Sequence, residues 1–514
     1  MPDRKLDPVT LSVLASAFSG IAEEMGAVLI RGSYSSNIKE RRDCSAALFD
    51  ARGRMVAQAE HIPVHLGAMP EAVVAVMEKD PEPGDVFALN DPYSGGTHLP
   101  DITLVSPVSL DEEIVGYAVT RAHHSDVGGM SPGSMPSGSR EIFQEGLIIP
   151  PVRLMQGGEY VGEILDLILA NVRTPALRRG DLRAQIAANR IAETRLVELI
   201  ERRSRDTVLA AFDEVIAYTE RRTRGAIREL PDGRHSAEDV LEGDGITDDD
   251  IPIEASVEIR DDTMTIDFSG TSGAVAGNVN CPLAVTRSAC YFALRVLLPG
   301  DVPANAGTYA PLDIRAPEGS LVKAGSPSAV VAGNVETSNR IADVVLAALS
   351  GFAPERIPAQ GQGTMNNLII GGSRDSGWTY YETIGGGQGA SAKGPGPSGV
   401  HVGMSNTLNT PVEAFELEYP MRVERYELLY GSGGKGEHRG GDGIVRSVRV
   451  LEPATLSLLT DRRRHGPRGV AGGQPGEPGS NLLNEEELPS KTGRELEPGD
   501  VVTVRTPGGG GYGP

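Results

Sequence analysis

The chain has 514 residues, of which 39% are hydrophobic and 23% charged, and a formal net charge of −22. This is the composition of a globular protein, and its length predicts two or three sub-domains. The negative charge repels a phosphate backbone and aromatic residues make up only 4% of the chain, so we expect no nucleic-acid partner. The 64 glycines and 36 prolines indicate many strands, turns and ordered loops.

The three cysteines, Cys44, Cys281 and Cys290, show no C-x-x-C spacing. This pattern is typical of a reducing compartment and argues against a zinc-finger type of structural metal site. The first residues do not resemble a signal peptide, and the sequence has no uninterrupted run of about 18 apolar residues. We therefore expect a cytoplasmic protein without a membrane partner.

The first predicted element is a helix that begins with Asp7 as N-cap and Pro8 at its first position and ends near Gly32. Strands are predicted at residues 46–49, 86–89, 102–108 and 114–121, the last two joined by a turn at 109–113 into a hairpin. A helical stretch at 182–229, a hairpin within 257–268, helices at 284–298 and 337–349, and β-structure with loops beyond 349 follow in chain order.

This order of elements predicts an α+β fold, β-rich and built of several sub-domains, with a long helical segment in the middle. We divide the chain coarsely into a region at 1–181, the helical segment at 182–230 and a glycine-rich β region at 231–514. The helical segment has an apolar stripe and charges of alternating sign, which favours a packed structural role.

Histidines are concentrated near the predicted hairpin, since five of the nine lie between residues 61 and 124. With the turn centred near residue 111, paired positions sum to about 222 and Leu99 lies opposite His123. Pro100 excludes a regular central strand, so His98 and Asp101 are predicted on an irregular loop at the open end of the hairpin. Two imidazoles and one carboxylate at one point form a common ligand set for a catalytic divalent metal. The alternative is that they are ordinary polar residues of the core or surface.

His124 and Asp126 flank the same point. Neighbouring strand residues face opposite ways, so His123 and His124 cannot both bind one metal in a regular strand. We assign His124 and Asp126 a candidate role in proton transfer or substrate contact, against the alternative of ordinary polar residues beside a site. His61 and His65 are further candidates to line the cavity.

Two glycine-rich segments are weak candidates for nucleotide binding. Residues 431–436 lack the spacing of a phosphate-binding loop and have no Ser or Thr after Lys435. Residues 385–389 precede no clear helix, so a dinucleotide fingerprint is also weak. We interpret both as tight turns, which leaves the sequence without a recognisable ATP site.

Several sequence blocks resemble the hydantoinase B/5-oxoprolinase family. In chain order they are residues 36–45, 90–101, 333–338, 382–387, 406–413, 439–443 and 506–511. The resemblance covers nearly the whole chain. It implies a partner, a hydantoinase A-type subunit that binds ATP and phosphorylates the substrate oxygen, while the B-type subunit completes the reaction at a metal.

The resemblance also implies metal ligands at His98, Asp101 and His123, and a fourth acidic ligand at Glu40, which would otherwise be read as a surface residue. Cys44 stands where relatives often carry Phe. Two imidazoles and carboxylates suit zinc, manganese and iron alike, so the metal stays open.

The function that the resemblance implies is ATP-dependent opening of a cyclic amide, such as a hydantoin, 5-oxoproline or a lactam, by a hetero-oligomer of this chain with an A-type subunit. Phosphorylation of the carbonyl oxygen would remove amide resonance, and water activated at the metal would attack the carbon. One alternative is the alpha-type subunit of an ATP-dependent ketone carboxylase. Another is a non-catalytic β-rich scaffold with a closed structural metal site.

Overall fold

The computed structural model describes residues 6–372 and 377–514, without the side chain of residue 60. Its helices are α1 (Pro8–Gly32), α2 (Ser36–Lys39), α3 (Met69–Met77), α4 (Gly162–Ala170), α5 (Pro175–Arg203), α6 (Arg205–Arg228), α7 (Leu283–Leu297), α8 (Ala306–Tyr309), α9 (Ser338–Leu349) and α10 (Val412–Glu418). Short 3₁₀ turns lie at Pro63–His65, Pro132–Ser134 and Ile142–Gln144, and a π-helical turn at Gly333–Thr337 leads into α9.

The first ten strands are β1 (Cys44–Asp50), β2 (Met55–Glu60), β3 (Val86–Leu89), β4 (Asp101–Leu110), β5 (Glu113–His123), β6 (Val152–Gln156), β7 (Glu159–Tyr160), β8 (Gly233–Glu242), β9 (Asp250–Arg260) and β10 (Thr263–Asp267). The remaining strands are β11 (Leu312–Arg315), β12 (Asn367–Gly372), β13 (Thr379–Glu382), β14 (Met421–Leu429), β15 (Gly443–Val450), β16 (Ala454–Leu459), β17 (Ser480–Leu483), β18 (Glu486–Leu488), β19 (Lys491–Leu496) and β20 (Val501–Arg505).

The described strands form four sheets, in the orders β2-β1-β5-β4-β3-β6-β7, β11-β10-β9-β8, β13-β12-β16-β19 and β14-β15-β20-β17-β18. Within this part of the chain all strand pairs are antiparallel except β10 with β11. Helices and strands in several sheets make the predicted α+β class correct, and the β-rich C-terminal half is also as predicted.

The seven-stranded sheet is buried on both faces because its side chains alternate between two hydrophobic cores. On β1, Ala46 and Leu48 face a core shared with α1, α5 and α6. Ala47 and Phe49 face the opposite core, which extends to α3, α7 and α9. This alternation with period two explains why every residue of β1 is buried. Both cores draw on distant parts of the chain, so they cross the limits at 181 and 231, and that sub-division stays a prediction.

The helix α1 begins as predicted, because the Asp7 carboxylate accepts hydrogen bonds from the backbone of Val9 and Thr10. By length and composition α1 is also apolar enough to cross a membrane, which the sequence reading did not anticipate. Its buried residues, among them Leu14, Phe18 and Leu29, pack into the core beside β1 and α5. Packing inside the protein therefore accounts for its apolar character.

The predicted helical stretch at 182–229 is two helices that begin earlier than expected. The helix α5 starts at Pro175, where proline is favoured at the first helical turn. Ser204 has a positive φ of 74° and separates α5 from α6. Its hydroxyl then caps α6 by accepting from Thr207.

The position of the β4–β5 hairpin is as predicted, but its predicted register is wrong. Asp101, and not Leu99, pairs with His123. The turn consists of Asp111 and Glu112, both with positive φ, and the register shifts between Val108 and Ser109. Together these features move the pairing by two residues. Asp101 is consequently the first residue of β4 and only His98 lies on the irregular loop.

The glycine-rich segments form a packed bundle of extended chains. Gly441 donates to the carbonyl of Gln388, Gly509 donates to that of Gly441, and Gly434 donates to that of Gly509. A Cβ on Gly441 would lie 1.8 Å from the carbonyl oxygen of Pro397. The segments at 385–389 and 431–436 therefore pack against other glycine-rich segments, and the absence of an ATP site from this chain stays a prediction.

We predict that Gly441→Ala lowers the free energy of unfolding by about 2 kcal/mol or more, because a methyl group collides with backbone that cannot move alone. Chemical denaturation monitored by circular dichroism measures the change. Gly300→Ala is the matched control, since nothing lies within 4 Å of its added Cβ. Equal stability of the two variants would contradict the role given to the bundle.

Candidate metal centre

The hairpin pairing places the side chains of Asp101 and His123 next to each other, and the loop before β4 brings His98 to the same point. The Nε2 of His98, the Nδ1 of His123 and the Oδ1 of Asp101 lie 3.1–3.2 Å from one another. All three residues are buried, with exposed fractions of 0–2%. Within the described chain, these residues form a group able to hold a metal ion.

The triangle has the dimensions of a ligand set. Three ligands of one cation at about 2.0–2.2 Å have mutual separations of about 2.8–3.6 Å, from octahedral to tetrahedral angles. The Nδ1 of His98 faces the carbonyl oxygen of Val331 at 3.4 Å, an arrangement in which Nδ1 donates and Nε2 keeps its lone pair. That lone pair, the His123 nitrogen and the carboxylate oxygen point to one spot, so the residues present fit a divalent cation.

Charge within the triangle favours an ionised carboxylate. Burial opposes ionisation of Asp101, but His98 and the hydrogen bonds from His123 and His65 hold the pKa of this carboxyl well below its usual value. Burial disfavours the charged form of His98, yet Asp101 outweighs it and raises the pKa of His98. An anionic oxygen beside two imidazoles makes binding of a cation electrostatically favourable.

Residues that the sequence analysis did not assign complete the surroundings. Thr97 donates to the second carboxylate oxygen of Asp101 at 2.6 Å. His65, named only as a cavity candidate, approaches the same oxygen at 3.4 Å through Nε2. The ring of Tyr381 stacks on His123 with centroids 4.5 Å apart. Tyr381 follows His123 by more than 250 residues, so no local pattern could have indicated it.

A second wall of the site comes from the C-terminal half. The hydroxyl of Tyr381 donates to Oδ1 of Asn367 at 3.0 Å, and the amide of Asn367 donates to Glu336 at 2.8 Å. Glu336 lies on the π-helical turn, a feature that is frequent at functional sites. Burial raises the pKa of Glu336 to about 7, and its Oε2 has no partner within the described residues.

Glu145 supports His98 indirectly. Its buried carboxylate accepts hydrogen bonds from the amides of Val330 and Val331 at 3.1 Å, and the carbonyl of Val331 faces His98. Burial raises the pKa of Glu145 to about 7 despite these hydrogen bonds. The sequence carries no signal for this role, because it depends on a contact across 185 residues.

Glu40 lies outside the triangle. It follows α2 as its C-cap residue and is partly exposed. Burial raises the pKa of the neighbouring Glu418, and the charge of Glu40 adds to that effect. In the same segment, the negative charge of Asp43 helps to raise the pKa of His98. Ligation by Glu40 stays a prediction.

His124 and Asp126 point away from the triangle. As predicted for neighbouring strand residues, His124 faces the opposite side, where its Nε2 lies 2.9 Å from the Oε1 of Gln185. Burial and then the charge of Arg178 lower the pKa of His124 to about 4. The Asp126 carboxylate accepts from Gly128, Gly133 and Arg173, the last through both backbone and side chain. Proton transfer by these two residues stays a prediction, while their contacts favour positioning.

His61 does not reach the triangle. Its ring packs against α1, where a Cβ on Gly26 would lie 2.9 Å from the ring, and its carbonyl accepts from Asn406.

We predict that His98→Ala and Asp101→Asn each abolish stoichiometric metal binding, because two of three ligands cannot hold the cation tightly. Inductively coupled plasma mass spectrometry of the purified chain measures metal per protein. His465→Ala is the control, since its ring is 48% exposed and contacts Asp250 far from the triangle in sequence. Full metal content in both ligand variants would contradict the assignment.

We also predict that Glu145→Gln weakens metal affinity by about tenfold or more, which is the usual effect of removing a group that orients a ligand. Competition with a chelator gives the affinity. The exposed Glu141 on the same turn provides the matched control Glu141→Gln, for which affinity should not change. Equal affinities for the two variants would rule out the support by Glu145.

Comparisons with known proteins all point to the same protein family. The family model Hydantoinase B/oxoprolinase matches residues 7–514. The chain is 40% identical over 99% of its length to 5-oxoprolinase 1 of Arabidopsis thaliana, of which it covers 42%. It is 35% identical to the putative B-type subunit of a D-/L-hydantoinase from a Pseudomonas species, with 99% of this chain and 90% of that protein covered.

Two solved structures share the fold. The ATP-dependent caprolactamase of Pseudomonas jessenii superposes with a TM-score of 0.92 at 31% identity, over 99% of this chain and 92% of that one. A nucleotide-free acetone carboxylase superposes with a TM-score of 0.89 at 19% identity, over 99% and 76% of the two chains, which shows likeness of fold alone. The chain spans about two fifths of the 5-oxoprolinase and most of the hydantoinase protein. From its sequence and its fold together, this protein belongs to the hydantoinase B/oxoprolinase family.

Proposed function

We propose that the chain is the metal-dependent subunit of a two-component, ATP-dependent amidohydrolase that opens a cyclic amide. The observation that carries the proposal is the buried triangle of His98, Asp101 and His123 in a chain that is similar over nearly its whole length to a caprolactamase and a hydantoinase subunit. The cyclic amide is a hydantoin, 5-oxoproline or a lactam.

The partner in this proposal is a hydantoinase A-type subunit that binds ATP. Two observations support a partner. The sequence has no phosphate-loop spacing, and its glycine-rich segments are occupied in packing against one another. The chain also matches only about two fifths of the 5-oxoprolinases, so those relatives carry a large additional portion in the same polypeptide.

In the proposed reaction the partner transfers a phosphoryl group to the amide oxygen. Water then adds to the activated carbon in this chain, and the carbon–nitrogen bond breaks to give the free amine and an acyl phosphate. A second water hydrolyses the acyl phosphate to the carboxylate and free phosphate. A divalent cation, whether zinc, manganese or iron, would be held by His98, Asp101 and His123 and would supply Lewis-acid activation of water and substrate. Tyr381 shields the triangle on one side and fixes His123 by stacking, and Glu145 orients His98 through Val331.

The triangle supplies three ligands, and a structural zinc site is closed by four. This difference favours a catalytic centre over the scaffold alternative. The three cysteines are free and buried, which supports a reducing compartment, and we propose that the protein acts in the cytoplasm.

The first test is ATP turnover by the metal-loaded chain, with and without its A-type partner, over hydantoins, 5-oxoproline, lactams and small ketones with bicarbonate. We expect ATP hydrolysis that depends on a cyclic amide and on both chains. Bicarbonate-dependent consumption of a ketone would instead assign the protein to the carboxylases, whose fold it shares. No activity with any combination would contradict both enzymatic proposals.

We further predict that His98→Ala reduces formation of the ring-opened product by at least about 10³-fold, since a cation contributes several kcal/mol to such a transition state. Product is measured by liquid chromatography in the reconstituted enzyme, and His465→Ala is the control. Phosphorylation of the substrate by the partner should continue in the His98 variant. A ring-opening rate equal to that of the wild type would contradict the assigned role.

A further inference from the structure

Arg41 carries a buried charge whose hydrogen-bond partners among the described residues are all neutral. Its side chain is fully buried. Its Nε donates to Asn37 at 3.2 Å, and its Nη2 donates to the hydroxyls of Thr383 and Thr407 at 2.6 and 3.0 Å and to the carbonyl of Thr383. All of these acceptors are uncharged. Burial of a cation is costly unless an anion accompanies it.

The third nitrogen of the guanidinium is free. The Nη1 of Arg41 is buried and has no hydrogen-bond partner within the described residues, although buried donors are nearly always satisfied. Arg446 is the instructive comparison, because its Nη1 is equally without a partner but its charge is balanced by Glu382 at 3.2 Å. Among the described residues, Arg41 combines an unused donor with hydrogen-bond partners that are all neutral.

Arg41 adjoins the metal centre by two routes. Its guanidinium lies 5.9 Å from the centroid of the Tyr381 ring, and that ring stacks on His123. Asn37, which accepts from Arg41, donates to the carbonyl of His123 at 2.8 Å. The ring of Tyr381 therefore contacts both the guanidinium of Arg41 and the imidazole of His123.

The other groups around Arg41 are neutral or donate hydrogen bonds. Thr383 and Thr407 present hydroxyls 2.6 Å apart. Burial, and next the charge of Arg41, lower the pKa of His401 to about 3, so this imidazole is uncharged at neutral pH. Its Nε2 lies 3.3 Å from the hydroxyl of Thr407. These neighbours carry no negative charge with which the guanidinium could pair.

We infer that Arg41 binds the phosphoryl group of the activated substrate beside the metal centre. The guanidinium fork matches a phosphate in geometry and charge, and bidentate contacts of this kind are stronger than neutral hydrogen bonds. The inference rests on the proposed function, in which the substrate reaches this chain as a phosphate ester of the amide.

The segment at 405–408 contacts Arg41 and also reaches the protein surface. Leu408 is 47% exposed, and its amide donates to the carbonyl of Arg41 at 2.9 Å. Thr407 on the same segment is buried and contacts the guanidinium.

The test uses inorganic phosphate as the probe and isothermal titration of the metal-loaded chain as the measurement. Arg41→Gln is expected to weaken phosphate binding by at least tenfold with unchanged metal content. Arg41→Lys keeps the charge but loses the fork, and is expected to weaken binding by at least threefold. Arg446→Gln is the control, with phosphate affinity equal to that of the wild type. If Arg41→Gln does not fold, the phosphate affinity of Arg41→Lys relative to that of the wild type tests the inference.

Unchanged phosphate affinity in the Arg41 variants would overturn the inference, as would tighter binding of bicarbonate than of phosphate by the wild type. The two proposals fail separately. Arg41-dependent phosphate binding without turnover of any cyclic amide would count against the proposed function. Turnover of a cyclic amide with a KM that Arg41→Lys leaves unchanged would count against the phosphoryl site.

Discussion

The antiparallel pairing of Asp101 with His123 is the constraint on which the candidate site depends. Because this pair lies at the open end of the β4–β5 hairpin, a carboxylate and an imidazole meet by backbone geometry alone. The loop before β4 then has to carry His98 over only two intervening residues to complete the triangle. Each strand is buried in a sheet with a core on both faces, so the pairing is held rigidly, as a metal centre requires.

The surroundings of the triangle come from far along the chain. Tyr381 from β13, Val331 before the π-helical turn and Glu145 directly after a short 3₁₀ turn each contact one of the three triangle residues or a residue that contacts one. These contacts join segments on both sides of the predicted limits at 181 and 231, and the sub-division at those limits stays a prediction.

Sequence reasoning placed His98, Asp101 and His123 at one point because they lie within 26 residues and the hairpin signal is local. Metal ligation by these residues stays a prediction. The same reasoning placed the pairing two residues out of register, since neither the two-residue turn at Asp111 nor the bulge beside Val108 has a strong sequence signature. Arg41, Glu145 and Tyr381 were not assigned, because their roles arise from tertiary contacts across large separations. The glycine-rich segments were interpreted as tight turns, and their packing against one another depends on partners that no local pattern reveals.

The proposed reaction is divided between a phosphorylating partner and a ring-opening metal centre in this chain. The most direct test of this division is a rapid-quench experiment in which a cyclic amide, phosphorylated by the isolated A-type partner with ATP, is mixed with the metal-loaded chain. The proposed mechanism predicts that ring-opened product and phosphate appear together only after mixing, and only with the intact triangle. Ring opening by the partner alone at the same rate would contradict it.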